Sequence, residues 1–210
     1  MFVRAPKDLN ESQYTAAIAE ILSPDLAVKV AAHYPCSQFK ADLGQSSCWW
    51  ALAAIERDFA FTCPAQSSAY LLSSQASRAN AARTFAYFYT QVLFILDIVD
   101  IFKPYRCFHG SELPSVFDLW PALWGEGEAA MAQWFTTAWT TFAATGDPNF
   151  ESAPGAWAPF GGGEGSNSTL VIGTGAGGVN LTNSRGIFAD ACAFWAANPV
   201  PESVIWGPKA

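Results

Sequence analysis

Apolar residues in the first part of the chain recur at helical spacing. In "NESQYTAAIAEIL" they fall at Tyr14, Ile18, Ile21 and Leu22, behind a capping residue, Asn10. "SPDLAVKVAAHY" restarts the pattern, with Ser23 as N-cap and Pro24 at the first helical position. The stretch from Cys36 to Ser47 is polar and predicts a loop. Helical spacing returns in "CWWALAAIERDF" (48–59) and again over 63–80, which begins at Pro64. Then the period changes. "RTFAYFYTQ" (83–91) is aromatic and β-branched with one alanine as its only helix former, and it predicts a buried parallel strand, apolar on both faces.

A long loop, 92–124, is expected next. "GEGEAAMAQWFTTAWTTFAATG" predicts a helix of about five turns. Its apolar stripe runs Met131, Trp134, Phe135, Ala138, Trp139, Phe142. Glu126 and Glu128 lie at its dipole-favoured start, and Gly146 ends it. Residues 147–168 are rich in Pro, Gly, Asn and Ser and predict an irregular surface loop. "TLVIG" (169–173) predicts a short strand, and "RGIFADACAFWAAN" (185–198) a last helix stopped by Pro199. Strands and helices together make an α/β chain with no internal repeat and no clean domain boundary.

Composition sharpens this picture. The 210 residues are 51% hydrophobic and 14% charged, with 16 Phe and 9 Trp. That is more apolar material than a free-standing domain of this length usually carries. It implies either one very well buried core or part of a larger domain whose remainder covers the surface. The net charge is -7, and Lys and Arg are few and scattered. No basic stripe exists to neutralise phosphates, so no nucleic-acid partner is expected. "MFVRAPKDLNESQ" has no signal-peptide character. "VLFILDIVDIF" (92–102) is too short to span a bilayer and carries Asp97 and Asp100, so no membrane span is expected.

Five cysteines stand at 36, 48, 63, 107 and 192, with no C-x-x-C pair and the two histidines far apart. No metal site is expected from that set. The cysteines are either reduced core thiols or an oxidised framework. Sequons at Asn10, Asn167 and Asn180 are candidate glycosylation sites and favour the secretory alternative slightly.

The spelling G-x-G-x-x-G occurs at Gly173, Gly175 and Gly178, after a strand. It leads into "VNLTNSRG", a polar turn with no helix start to face a pyrophosphate. The glycines therefore predict a hairpin turn, and no cofactor is expected. "FGGGEG" (160–165) lacks the histidine of an esterase oxyanion loop and follows His109, so it predicts a flexible loop. No G-x-S-x-G occurs; "GQSSC" (44–48) ends in Cys48 where glycine is needed, which leaves Ser46 a loop serine. His33 ends the second helix and reads as structural. His109 differs. It lies on a loop after a buried strand, with Gly110 leaving room beside it, as the base of an α/β-hydrolase triad would. From spacing alone a structural loop histidine remains the alternative.

"HGSELPSVF" (109–117) resembles the segment around the catalytic histidine of type-B carboxylesterases, the cholinesterase-like family of α/β-hydrolases. In the same order, "DFAFTCPAQSSA" (58–69), "WTTFAATGDPN" (139–149), "WAPF" (157–160) and "CAFW" (192–195) resemble further pieces of that family. The resemblance covers nearly the whole chain from Asp58 and, more loosely, from Met1.

It implies a secreted hydrolase of small-molecule carboxylic esters without cofactor or metal. His109 would be the general base and Glu112 a loop-bracing residue. Cys63 and Cys192 would form a disulfide, Cys36 and Cys48 are candidates for a second, and Cys107 is left over. The family's nucleophilic serine and oxyanion glycines lie in an N-terminal half that these residues do not contain, and its acid would fall before Met1. Residues 1–210 are therefore expected to form a single partial domain, the C-terminal portion of an α/β-hydrolase fold, inactive alone and completed by that half. Phe2 is a candidate gorge-lining residue. The competing expectation is a non-catalytic cholinesterase-like binding or adhesion module, or a decayed gene product, since fold alone does not settle function.

Overall fold

The computed structural model describes residues 5–74, 83–98, 106–161, 167–175 and 178–200, apart from the side chains of Leu96 and Asp97. Phe2, the end of the 63–80 helix, the end of the apolar run 92–102 and most of "FGGGEG" lie outside the described residues. The chain divides into two compact units, 1–65 with 188–210, and 66–187.

The first unit is helical. Helix α1 (Glu11–Ala19) begins with a capping box: Asn10 Oδ1 accepts the Gln13 N–H and Gln13 Oε1 accepts the Asn10 N–H, each at 3.0 Å. Helix α2 (Pro24–His33) starts at Ser23 and Pro24 as the sequence predicts. Helix α3 (Ser47–Glu56) is capped by Ser46, whose Oγ accepts the Trp49 N–H at 3.2 Å, so the expected loop serine is an N-cap. A π-helical turn (Arg57–Thr62) leads into α4 (Cys63–Ser74). Helix α8 (Ala189–Ala197) returns at the end of the chain.

Ile18, Val30, Leu52, Ile55 and Trp195 form the heart of this unit's core. Within it Asp58 is 1% exposed. A buried carboxylate is tolerable only with partners. Arg57 donates to it at 2.6 and 2.9 Å, Tyr34 Oη donates at 3.1 Å, and Trp195 Nε1 donates to Tyr34 Oη at 3.0 Å. Burial pushes the Tyr34 phenol up, and the charge of Asp58 adds to this. Disulfides join Cys36 to Cys48 and Cys63 to Cys192. The second ties α8 to the start of α4 across a separation of 129 residues; on the chain-entropy account closing such a loop stabilises by at most roughly 4–5 kcal/mol.

The second unit holds a mixed sheet in the order β1–β2–β3. Strand β1 (Ala86–Tyr89) pairs parallel with β2 (Ser168–Gly175), which pairs antiparallel with β3 (Gly178–Arg185). The crossover from β1 to β2 carries α5 (Phe94–Ile98), α6 (Leu113–Val116) and α7 (Glu128–Thr145). One sheet face (Tyr89, Leu170, Ile172) packs with Met131, Trp134, Phe135 and Ala138 of α7 in a common core. Gly146, at φ +74, ends α7 in the left-handed conformation that favours glycine. The chain is thus α/β, as expected.

Four further expectations change. Strand β1 is shorter than predicted, Tyr87 is 37% exposed rather than buried, and among the described residues β1 has a neighbour on one side only. The expected loop 92–124 contains α5, α6 and a 3-10 turn at Pro121–Leu123. "VNLTNSRG" is strand, not turn. Its register runs Gly175↔Gly178 to Ser168↔Arg185, and its polar Asn180 and Thr182 sit on an exposed face, which an antiparallel edge strand permits. Lastly, 147–161 is irregular but not confined to the surface, since Trp157 and Phe160 are buried at 5% and 3% exposure.

Two asparagines make that burial possible. Asn149 donates to the Trp157 carbonyl at 3.0 Å and accepts its N–H at 2.6 Å. Asn183 donates to the Ala156 carbonyl at 2.7 Å and accepts the Ala158 N–H at 3.1 Å. The backbone of the strap is thereby satisfied on both sides of Trp157, whose own Nε1 donates to the Ala86 carbonyl at 3.0 Å. Asp147 anchors the strap's start: the Asn149 N–H holds its carboxyl below the usual range, and Arg83 adds to this at 2.6 Å. Trp157→Ala should therefore cost roughly 3–5 kcal/mol of stability. Asn149→Ala should cost about 1–3 kcal/mol through the polar groups it strands. Urea unfolding followed by circular dichroism measures both, and an unchanged midpoint in Asn149→Ala would show that the strap does not depend on it.

Candidate active site

After β1 the crossover reaches a tight turn that holds His109. Arg106 at φ 50 and Gly110 at φ +85 adopt left-handed backbone here. Gly110 is required for that conformation more than for room, because an added Cβ would meet only Leu113 Cδ1, at 3.6 Å. The Ser111 N–H donates to the Phe108 carbonyl at 3.0 Å and the Leu113 N–H to the Gly110 carbonyl at 3.1 Å, which turns the chain into α6. His109 is exposed on this turn.

Two contacts fasten the turn to β1. Cys107 Sγ donates to the Tyr89 carbonyl at 3.2 Å and lies 3.5 Å from Ser111 Oγ. Tyr87 Oη donates to Glu112 Oε1 at 3.4 Å. Ser111 and Ser115 are buried, at 1% and 0% exposure. The Tyr89 hydroxyl lies beside that of Ser115, both buried, without the geometry of a good hydrogen bond between them.

The electrostatics follow from this packing. Although part of Cys107 is exposed, desolvation at its sulfur raises the thiol; Ser111 opposes the rise and Glu112 adds to it. Burial, then the charge of Glu112, pushes the Tyr87 phenol up to about 12. Burial raises Tyr89 as well. The thiol and both phenols next to the turn are therefore neutral at neutral pH. A neutral thiol is a poor nucleophile, so Cys107 is unsuited to that role. Ser111 and Ser115 are closed to a substrate by burial.

The structure gathers His109, Glu112 and Cys107 in one turn, as their closeness in sequence requires. Asn10, Asn167 and Asn180 are exposed. His33 ends α2, where its ring stacks on Phe194 with centroids 4.1 Å apart and Nε2 lies 3.6 Å from Asp190. Sequence reasoning missed Tyr87, Tyr89, Ser111 and Ser115. The alternation of phenols in "AYFY" was a usable signal, since residues two apart share a strand face.

Exposed apolar side chains follow the turn: Leu113, Phe117, Leu119, Trp120 and Leu123. An open groove of about 380 Å³, lined by Asp118, Pro121, Trp124, Gln133 and Thr136 among others, does not include His109. Among the described residues no group of three or more His, Cys, Asp or Glu could hold a metal ion. No helix among them is long and apolar enough to cross a membrane.

A sequence profile of the Carboxylesterase family matches residues 5–195. The chain belongs to that family, a lineage of ester hydrolases, and its α/β architecture accords with part of an α/β-hydrolase fold. No individually curated protein matches the chain at a significant level.

The raised Tyr87 pKa makes a pH prediction. The fold favours the neutral phenol, so this contribution is complete below the unfolded-state value of about 10 and is lost as pH rises through about 12. Absorbance titration of tyrosinate should show one phenol near 12 that disappears in Tyr87→Phe. Glu112→Gln should lower that midpoint without returning it to 10, because burial is the larger cause. An unmoved midpoint would mean that Glu112 does not reach the phenol.

Proposed function

We propose that this carboxylesterase-family chain supplies the histidine of a serine–histidine–acid triad that hydrolyses small carboxylic esters. The observation that carries the proposal is the His109 turn itself: an exposed imidazole beside Gly110, with Glu112 bridged to Tyr87 on the strand behind it. His109 takes the serine proton as the hydroxyl attacks the ester carbonyl, then returns it to the departing alkoxide. The same steps with water release the acid. Glu112 braces the turn and takes no part in the chemistry.

The serine and the acid lie outside these 210 residues. No G-x-S-x-G occurs in the sequence, the serines of the turn are buried and the nearby thiol stays protonated. Residues 1–210 are accordingly the C-terminal portion of one type-B domain, and an N-terminal half supplies the nucleophile, the oxyanion donors and the acid. Alone, the chain turns over no ester. Passage through the secretory route is supported by the two disulfides and by the exposure of the sequons at Asn10, Asn167 and Asn180.

The test has two arms. The purified 210-residue chain and its His109→Ala variant should show the same background with a p-nitrophenyl ester. Histidine-dependent turnover by this chain would overturn the missing nucleophile. In a longer product that includes an upstream G-x-S-x-G, His109→Ala should lower kcat/KM by about 10⁴-fold. Upstream DNA with no such motif over several kilobases would favour a non-catalytic binding module instead.

A further inference from the structure

Glu128 is the first residue of α7 and is 2% exposed. Its Oε1 accepts the Phe94 N–H at 2.6 Å and its Oε2 the Gly125 N–H at 2.7 Å. Gln91 Nε2 donates to Oε1 at 3.4 Å. Gln91 in turn accepts from the Thr174 N–H at 3.2 Å and the Thr174 hydroxyl at 2.6 Å. Phe94 is where the chain departs after β1, and Gly125 is where it arrives at α7. Everything between them, His109 included, is an excursion whose two ends donate to the two oxygens of one carboxylate. Packing closes the same point: a Cβ on Gly125 would lie 2.7 Å from Phe94 Cβ, and one on Gly127 would lie 3.2 Å from Gly178 Cα.

We propose that Glu128 is a positioning residue for His109. A carboxylate that served only the start of α7 would be satisfied by its own first turn. This one reaches a backbone donor 34 residues earlier in the chain. Charge-assisted bonds to backbone N–H groups are stronger than neutral ones, and losing the acceptor leaves these two part-buried donors without it. Holding the ends together also fixes where the segment between them begins and ends, at an entropic cost that grows only slowly with its length. The excursion then has a fixed base, and the contacts of Cys107 and Glu112 with β1 fix its interior. The functional meaning rests on the reading of His109 as the base; the geometric claim does not.

The chain has two histidines, and His33 lies in the other unit, so it serves as an internal control. Histidine labelled at ¹³Cε1 gives two resolvable signals in the full 210-residue chain. In Glu128→Gln the His109 signal should broaden or split, with His33 unchanged. Amide exchange at Phe94 and Gly125 should rise about 10–100-fold. A folded variant with an unaltered His109 signal overturns the proposal.

Where Glu128→Gln fails to fold, exchange in the unmodified chain decides. The hydrogen-bonded amides of Phe94, Gly125, Ser111 and Val116 should open together, with one denaturant dependence. Independent opening of the His109 turn overturns the proposal. If His109 is not a catalytic base, the ester assay shows it while these signals behave as described.

Discussion

Two parallel strands cannot be joined by a tight turn; the chain must cross from the end of one to the start of the next. Strands β1 and β2 impose that requirement on the second unit, and most of its structure answers it. Helix α7 is the part of the crossover that covers the sheet, with Met131, Trp134, Phe135 and Ala138 in the core that it shares with Leu170 and Ile172. The part before α7 carries the turn for which we propose a catalytic role. It leaves near the end of β1, holds His109 on a glycine turn, and comes back to Glu128. A site on a crossover segment needs a rigid base, and the buried carboxylate of Glu128, bonded to Phe94, Gly125 and Gln91, provides one.

The first unit meets a different constraint. It buries the carboxylate of Asp58 among aromatic rings, and the cost of that burial is offset only by the bidentate Arg57 and the hydroxyl of Tyr34. Trp195 of α8 joins the same network through Tyr34, while Cys192 joins α8 to Cys63. The last helix is thus held to the first part of the chain by a covalent bond and by a polar network, both placed in or beside the unit's core. Removing one partner from such a network leaves a charge or donor without compensation, which makes it specific as well as stabilising.

Around His109, burial decides which groups are charged. The thiol of Cys107 and the phenols of Tyr87 and Tyr89 are all held neutral, chiefly by desolvation. Glu112 is the acid that Tyr87 meets, and its charge helps to keep that phenol protonated. The turn therefore presents an exposed imidazole backed by a carboxylate–phenol bridge. That arrangement suits the role proposed for His109, which would accept and return a proton without competition from a neighbouring thiolate.

Much of this was legible from the amino acids. Asn10, Ser23 and Pro24 announce helix starts because caps are local chemistry, satisfied within a few residues. Gly146 announces a stop for the same reason, and the period of Met131, Trp134, Phe135 and Ala138 marks the buried side of α7. The histidine turn and its glutamate stand within four residues of each other, so their proximity was never in question. Other features required the fold. The hairpin turn read from Gly173, Gly175 and Gly178 brings "VNLTNSRG" back beside β2, but its polar side chains hide the strand, because only the sheet shows that Asn180 and Thr182 face outward. "DPNFESAPGAW" looks like surface until Asn149 and Asn183 satisfy the backbone that lets Trp157 go inside. Glu128 reads as a dipole-favoured acid, and only the return of the crossover brings Phe94 and Gly125 to its two oxygens. The sequence by itself determined most of the long helices and several of their caps, and it marked the histidine turn, because these are products of short-range spacing. The tertiary structure alone decided which polar groups are buried and what holds the turn in place, because those partners are brought together only by long-range pairing and packing.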